Sequence, residues 1–221
     1  MAEPDKSPVD QRKKIKKESI TKGAAQVFAE KGFNSATVSE IAKKAGVGKG
    51  TVYEYFQSKT ELFFEVFEWH MKTFTEAAAL SLSALNIPVS KKLSGTCDSI
   101  MRYWVARMEL YTLTLEFWAA SATSGAKDAF KEMFKNSYRE FRGLMEGLIK
   151  EGVKRGEFRP DLDIGSIAAS LVGTLDALLL QGLFDEEFDP VTASAGYVEV
   201  LLRGMQRDES ENRRRHNRRD A

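Results

Sequence analysis

The sequence predicts an all-α fold, and three observations predict it. Apolar residues recur at the three, four and seven spacing of a helical face along most of the chain, as in Val38, Ile41, Ala42 and Ala45. No segment alternates apolar and polar residues with strand-like composition. Start and stop signals bracket the periodic stretches: Thr37 with Glu40 and Ser58 with Glu61 read as capping boxes, Gly46 as a helix stop, and Asp189-Pro190 as an N-cap with proline in the first turn. About nine helices are expected.

Taken in order, Met1 to Asp10 holds two prolines and no apolar period, and reads as a disordered arm. Lys13, Lys14, Lys16 and Lys17 open a first helix whose apolar side is Ile20, Ala24, Val27 and Phe28, stopping at Gly32. A short helix follows Thr37 and closes at Gly46, where a residue without a Cβ takes the left-handed conformation. Lys49 to Tyr55 is a second short helix, with Val52 and Phe56 turned inward. A longer helix starts at Lys59 and runs through Leu62, Phe63, Val66, Phe67, Met71 and Phe74, and Pro88 ends the segment after it. Leu93 to Met108 and Tyr111 to Ala122 are helical stretches, and Gly125 breaks the pattern before a long helix from Ala126 to about Arg155. Gly156 to Pro160 is a loop. Asp163 caps a helix through Leu171, Leu175, Leu179 and Leu183, and the last helix runs from Pro190 to about Met205.

Two short helices joined by a tight glycine turn are either a plain αα corner or a helix-turn-helix whose second helix can enter a DNA major groove. Lys49, Thr51, Tyr53, Tyr55 and Lys59 crowd donors onto this second helix and the start of the next, which a purely structural corner does not need. Charge is divided in the same sense. Residues 1–60 hold twelve Lys or Arg against seven Asp or Glu, whereas residues 61–208 hold 16 against 22, so a basic head adjoins an acidic body.

The stretch AGVGKGTVYEYFQSKTEL, Ala45 to Leu62, resembles the signature of the TetR family of bacterial one-component transcriptional regulators. The similarity runs from about Arg12 to Leu62. LEFWAAS at Leu115 to Ser121, RGEFRPDLD at Arg155 to Asp163 and LLLQGLFDEEFDP at Leu178 to Pro190 are more loosely similar to the ligand-binding part of its members. The resemblance implies an arm (1–10), a helix-turn-helix head (11–57), an effector-binding and dimerisation body (58–207) and a basic disordered tail (208–221). It further implies that Thr37, Thr51, Tyr53, Tyr55 and Lys59 contact phosphates while Ser39, Lys49 and Gly50 face base edges. Gly48 and Glu54 depart from the family pattern, in which serine often caps this helix and no acid stands among the phosphate-facing residues.

One head makes too few contacts for a gene-specific site, so a homodimer on a near-palindrome is expected. Leu171, Leu175, Leu179, Leu183, Val198, Leu201 and Leu202 either form a dimer bundle or are buried within the monomer. Phe67, His70, Met71, Phe74, Trp104, Met108, Phe117, Trp118, Tyr138, Phe141 and Met145 are core side chains taken singly. As a group they suit the pocket for a small apolar or amphipathic effector that the resemblance implies. Asp176, within an apolar run, meets either a ligand group or a hydrogen-bond partner in the dimer bundle. The lysines of the first helix are a solvated face or an arm along the phosphate backbone.

Several chemistries are unsupported. GVGKGT lacks the spacing of a phosphate loop, since Lys43 stands where its first glycine belongs. His70 and His216 are distant, Cys97 is the lone cysteine, and no nucleophile elbow occurs, so no enzyme, metal site, cofactor or disulfide is expected. With no apolar run of about 18 residues and a polar N-terminus, neither a membrane span nor a signal peptide is expected, and a cytoplasmic location is. The alternative function is a sequence-tolerant, DNA-organising helical protein without an effector.

Overall fold

The computed structural model describes residues 8–83, 87–121 and 127–207; the arm over 1–7, the break at Gly125 and the basic tail from 208 lie outside the described residues, as do the side chains of Phe74 and Phe117. Among the described residues there are nine α-helices: α1 (Pro8–Ser35), α2 (Val38–Ala45), α3 (Lys49–Tyr55), α4 (Lys59–Ser83), α5 (Val89–Val105), α6 (Met108–Ser121), α7 (Lys127–Lys154), α8 (Ile164–Phe184) and α9 (Pro190–Met205). The chain divides into two compact units, one within Met1–Thr75 and Glu109–Phe134, the other within Glu76–Met108 and Lys135–Ala221.

Three helix starts differ from expectation, each for a local reason. Helix α1 opens at Pro8, inside the stretch read as an arm, because proline is pre-set for a first helical turn and Asp10 suits the positive end of the dipole. Helix α5 opens at Val89, four residues before Leu93. Its free N–H groups are capped from a distance, Val89 N and Ser90 N donating to Glu157 Oε2 at 2.6 and 3.4 Å. Helix α6 opens at Met108 rather than Tyr111, directly after a turn at Ala106 and Arg107.

In the first unit Ile20, Phe28, Ile41, Val52, Phe56, Leu62 and Phe63 are fully buried. Phe28, Phe33 and Phe63 form a mutually packed aromatic triad with centroids 5.6–5.9 Å apart. The core of the second unit is Val89, Leu93, Cys97, Met101, Met145, Ile149, Phe158, Leu171 and Leu175. Burial pushes the Cys97 thiol up to about 12, leaving it an inert apolar group.

Helix α8 is strongly apolar. Its 21 residues carry a single charge, Asp176, and by length and composition it is long and apolar enough to cross a membrane. Much of its surface is nevertheless uncovered, including Leu180 and the 79% exposed Phe184, and on α9 Val200 is 70% exposed.

Candidate nucleic-acid interface

The head is built from the turn outward. Thr37 caps α2: Glu40 N donates to Thr37 Oγ1 at 3.3 Å, and Thr37 N and Oγ1 donate back to Glu40 Oε2 at 3.0 and 2.8 Å, so the capping box read from the sequence is present. Lys31 of α1 also donates to Glu40. These partners, Lys31 first and then the Thr37 hydroxyl and amide, lower the Glu40 carboxyl to about 2. Gly46 closes α2 at φ 68°, ψ 31°, and Val47 N reaches back to Ala42 O at 3.0 Å, which turns the chain sharply into α3.

At the start of α3, Gly48 gives no side-chain cap, so the first N–H groups of that helix have no side-chain acceptor from it. Val52 and Phe56 are buried as expected, which leaves Lys49, Gly50, Tyr53 and Glu54 as the exposed face. Thr51 and Tyr55 are half-buried, and Thr37 and Ser39 are exposed in the cap and first turn of α2. A Cβ added at Gly50 would meet nothing within 4 Å.

Packing on α1 orients the pair. Ser19 Oγ donates to Ala45 O at 3.1 Å, Lys44 pairs with Glu30 at 2.8 Å, and Gly23 lets α2 approach so closely that a Cβ there would lie 3.0 Å from Ala45 N. Within the basic cluster of α1, Lys17 is already engaged, 2.7 Å from Glu65 of α4 and 5.6 Å from the Phe56 ring centroid. Arg12, Lys13, Lys14 and Lys16 are exposed.

Lys59 sits otherwise than the resemblance implied. Its ammonium donates to Phe33 O, Asn34 O and Ala36 O at 2.7, 3.1 and 3.0 Å and lies 4.6 Å from the Phe33 ring centroid. With three protons on three carbonyls, the side chain has none left for a phosphate. Because Lys59 opens α4, its backbone N–H is the group left to face an anion.

The expected ligand residues divide between the units. Phe67, His70, Met71 and Trp118 belong to the first, Trp104, Met108, Tyr138, Phe141, Met145 and Asp176 to the second. Trp118 is 62% exposed, which does not suit a pocket wall, and Phe67 stacks on Phe134 at 5.5 Å as core. Asp176 has a partner that neither reading of it included: Tyr138 Oη of α7 donates to Asp176 Oδ2 at 2.7 Å. Burial first, then that carboxylate, pushes the phenol far above its ordinary range, so it stays protonated. A groove of about 650 Å³ lies between α5 and α9, and none of the expected ligand residues lines it.

The dimer residues are also redistributed. Leu171, Leu175, Leu179 and Val198 are buried within the chain itself, since a helix packed on α5 and α9 must fill that seam first, while Leu183, Leu201 and Leu202 are half-buried. The uncovered faces carry Ala169, Gly173, Ala177, Leu180 and Phe184 on α8 and Gly196, Val200 and Gly204 on α9.

Residues 20–66 match the model of the bacterial regulatory proteins, tetR family, and residues 90–204 match that of the BetI-type transcriptional repressor, C-terminal. A fatty acid metabolism regulator protein of Bacillus subtilis is 27% identical over 202 residues, 88% of this chain and 97% of that protein. The fatty acid degradation regulator FadR of Bacillus halodurans superposes with a TM-score of 0.69 at 27% identity, covering 86% of this chain and 99% of that one. FadR of Bacillus subtilis, solved in complex with stearoyl-CoA, superposes with a TM-score of 0.70 at 24% identity over 86% and 99%. With a helix-turn-helix exposed for a duplex and both family models matched, the chain belongs to the tetR family of bacterial regulatory proteins, as a DNA-binding transcriptional repressor.

Proposed function

We propose that two copies of this chain read a near-palindromic operator and leave it when an amphipathic ligand with a long apolar tail occupies the C-terminal part. The observation that carries the DNA half is the exposed face of α3. Lys49 stands in its first turn, able to donate to guanine O6 and N7, and Gly50 leaves open space where any other residue would set a side chain. Ser39 joins them at the base edges. Thr51, Tyr53, Tyr55 and the Lys59 backbone N–H hold the phosphates, with Lys13, Lys14 and Lys16 adding charge along the backbone, whereas Thr37 spends both its N–H and its hydroxyl proton on Glu40 and so serves as the cap of α2.

Pairing uses the uncovered faces of α8 and α9. Small residues four apart, Ala169, Gly173 and Ala177, allow close approach of a partner helix, and Leu180, Phe184 and Val200 supply the apolar area. This occupant accounts for the uncovered apolar surface of α8 without a membrane. The two heads would then fall about one helical turn apart, roughly 34–36 Å.

A fatty-acid chain as its thioester with coenzyme A is the ligand class proposed. Support comes from the 27% identical fatty acid metabolism regulator, from the stearoyl-CoA of the fold neighbour, and from the aromatic and methionine side chains Trp104, Met108, Phe141 and Met145 of the second unit. The test is selection of fragments from random DNA by the full-length chain, followed by competition and by titration with stearoyl-CoA. A preference of about 10³-fold over random DNA, lost on adding the thioester, is expected. Equal affinity for selected and random fragments refutes the operator reading, and release by free coenzyme A as efficient as by stearoyl-CoA refutes the acyl-chain reading.

A further inference from the structure

Helix α1 ends in a connector, Gly32 to Ala36, that hands the chain to Thr37 and so sets where α2 and α3 begin. Gly32 has φ 74° and ψ 168°, outside the helical region and in a conformation that favours glycine. Both polar sides of the connector are held by helices outside the helix-turn-helix. The carbonyls of Phe33, Asn34 and Ala36 accept from Lys59 of α4. The N–H groups of Phe33 and Asn34 donate to Glu116 of α6 at 3.1 Å each, and Asn34 Nδ2 donates to the same carboxylate at 2.9 Å. Space is fitted to this grip, since a Cβ on Gly32 would stand 2.7 Å from Glu116 Oε2.

We propose that Glu116 is a positioning residue for operator binding: it touches no DNA, yet through the amides of Phe33 and Asn34 it fixes the connector that aims the recognition helix. The inference rests on the operator reading above. Three observations converge on it. A carboxylate spending its lone pairs on two consecutive backbone N–H groups fixes the backbone direction there, which a single side-chain contact does not. The gripped residues lie three and four positions before Thr37, so a rotation at them moves the whole of α2 and α3. Phe33 is itself anchored in the aromatic triad, so the connector has a fixed floor and two polar walls. Glu116 lies in the segment LEFWAAS of α6, and Leu113 and Thr114, three and two residues before it on the same helix, are buried, so its backbone is held by packing.

The test compares the full-length wild-type chain with Glu116→Ala and Glu116→Gln, using an operator fragment selected by the wild type, random DNA, and amide hydrogen exchange. For Glu116→Ala, exchange at Phe33 and Asn34 is expected to rise about tenfold or more while the amides of α2 and α3 keep their protection. Operator Kd is expected to rise by about tenfold or more, with the Kd for random DNA changed less than about threefold, because non-specific binding depends on phosphate charge rather than on aim. Glu116→Gln keeps one acceptor oxygen and should fall between the two. An operator Kd within twofold of wild type despite fast exchange at Phe33 and Asn34 overturns the proposal, as does equal weakening on operator and random DNA. Should Glu116→Ala fail to fold, Glu116→Gln and Asn34→Ala decide: faster exchange at Phe33 with undiminished operator preference overturns the proposal just as firmly. A wild-type chain that selects no fragment at all removes the operator reading and this one with it, whereas unaffected variants of a selective wild type remove this one alone.

Discussion

Replacing Gly50 by alanine sets fold and function against each other. Gly50 is exposed within α3, is not among the glycines with positive φ, and a Cβ there meets nothing within 4 Å, so the protein itself gives no reason to keep a glycine. Alanine in an unstrained helical position is favoured by about 0.4–1 kcal/mol. The melting temperature of a chain this size should therefore rise by roughly 2–4 °C per kcal/mol gained. If the glycine exists so that the backbone can approach the groove, the added methyl costs about 1 kcal/mol per head, the low end for a base contact. Two heads then lose about 2 kcal/mol, roughly a 30-fold weaker operator complex. Melting curves and operator titration by fluorescence anisotropy at one fixed salt concentration measure both quantities. A stabilised variant that binds its operator as tightly as wild type refutes the close-approach reading and leaves Gly50 as merely a weak helix former.

Three further outcomes separate roles that the sequence ran together. Lys49→Ala should relax preference at one base pair by about 1–3 kcal/mol, seen by repeating the fragment selection, whereas Lys59→Ala, which breaks bonds donated by a charged group, should lower stability by about 2–3 kcal/mol and leave the salt slope of DNA binding unchanged. A salt slope reduced by about one would instead return Lys59 to the phosphates. Glu40 is held at about 2 by Lys31 and Thr37, so its contribution to the α2 cap is full above its ordinary value near 4.5 and is lost as pH falls from there through about 2. Amide exchange at the start of α2 should accelerate across that window and become pH-insensitive in Glu40→Gln, and a variant that keeps the wild-type pH profile would show that a group other than Glu40 titrates there. Phe184→Glu together with Val200→Glu should convert the dimer to folded monomer in sedimentation, and a stable dimer would move the interface elsewhere.

How far the chain could be read depended on the range of the interaction. Caps and stops act over three or four residues, and Thr37, Gly46, Asp163 and Asp189 all stand where the sequence placed them. Val52 and Phe56 were likewise identified as inward from spacing alone. The start of α5 was misplaced because its cap, Glu157, is 68 residues away in the sequence. Lys59 differs for a related reason: position at a helix N-terminus is a local property, but the carbonyls that take up its protons lie in the connector at the end of α1, 23 to 26 residues earlier. Asp176 stood out as a charge in an apolar run, yet nothing in that run points to Tyr138 as its partner. Leu171 and Leu175 illustrate a different limit, since a helix apolar on most sides gives no period from which to separate the face that covers its own core from the face offered to a second copy.

The chain passes between its two compact units three times: inside α4, in the first turn of α6 and inside α7. Two of these three helices, α4 and α6, carry the residues that grip the connector before α2, Lys59 and Glu116. A ligand that reverses operator occupancy from 99:1 to 1:99 must supply about 5.5 kcal/mol of differential affinity. Shared between two heads, that is under about 3 kcal/mol each, the net worth of one or two hydrogen bonds to a charged group. Each connector is held by six such bonds, three from Lys59 and three to Glu116. On energetic grounds, control of DNA binding therefore needs no large rearrangement: weakening two of the six bonds in each head is sufficient.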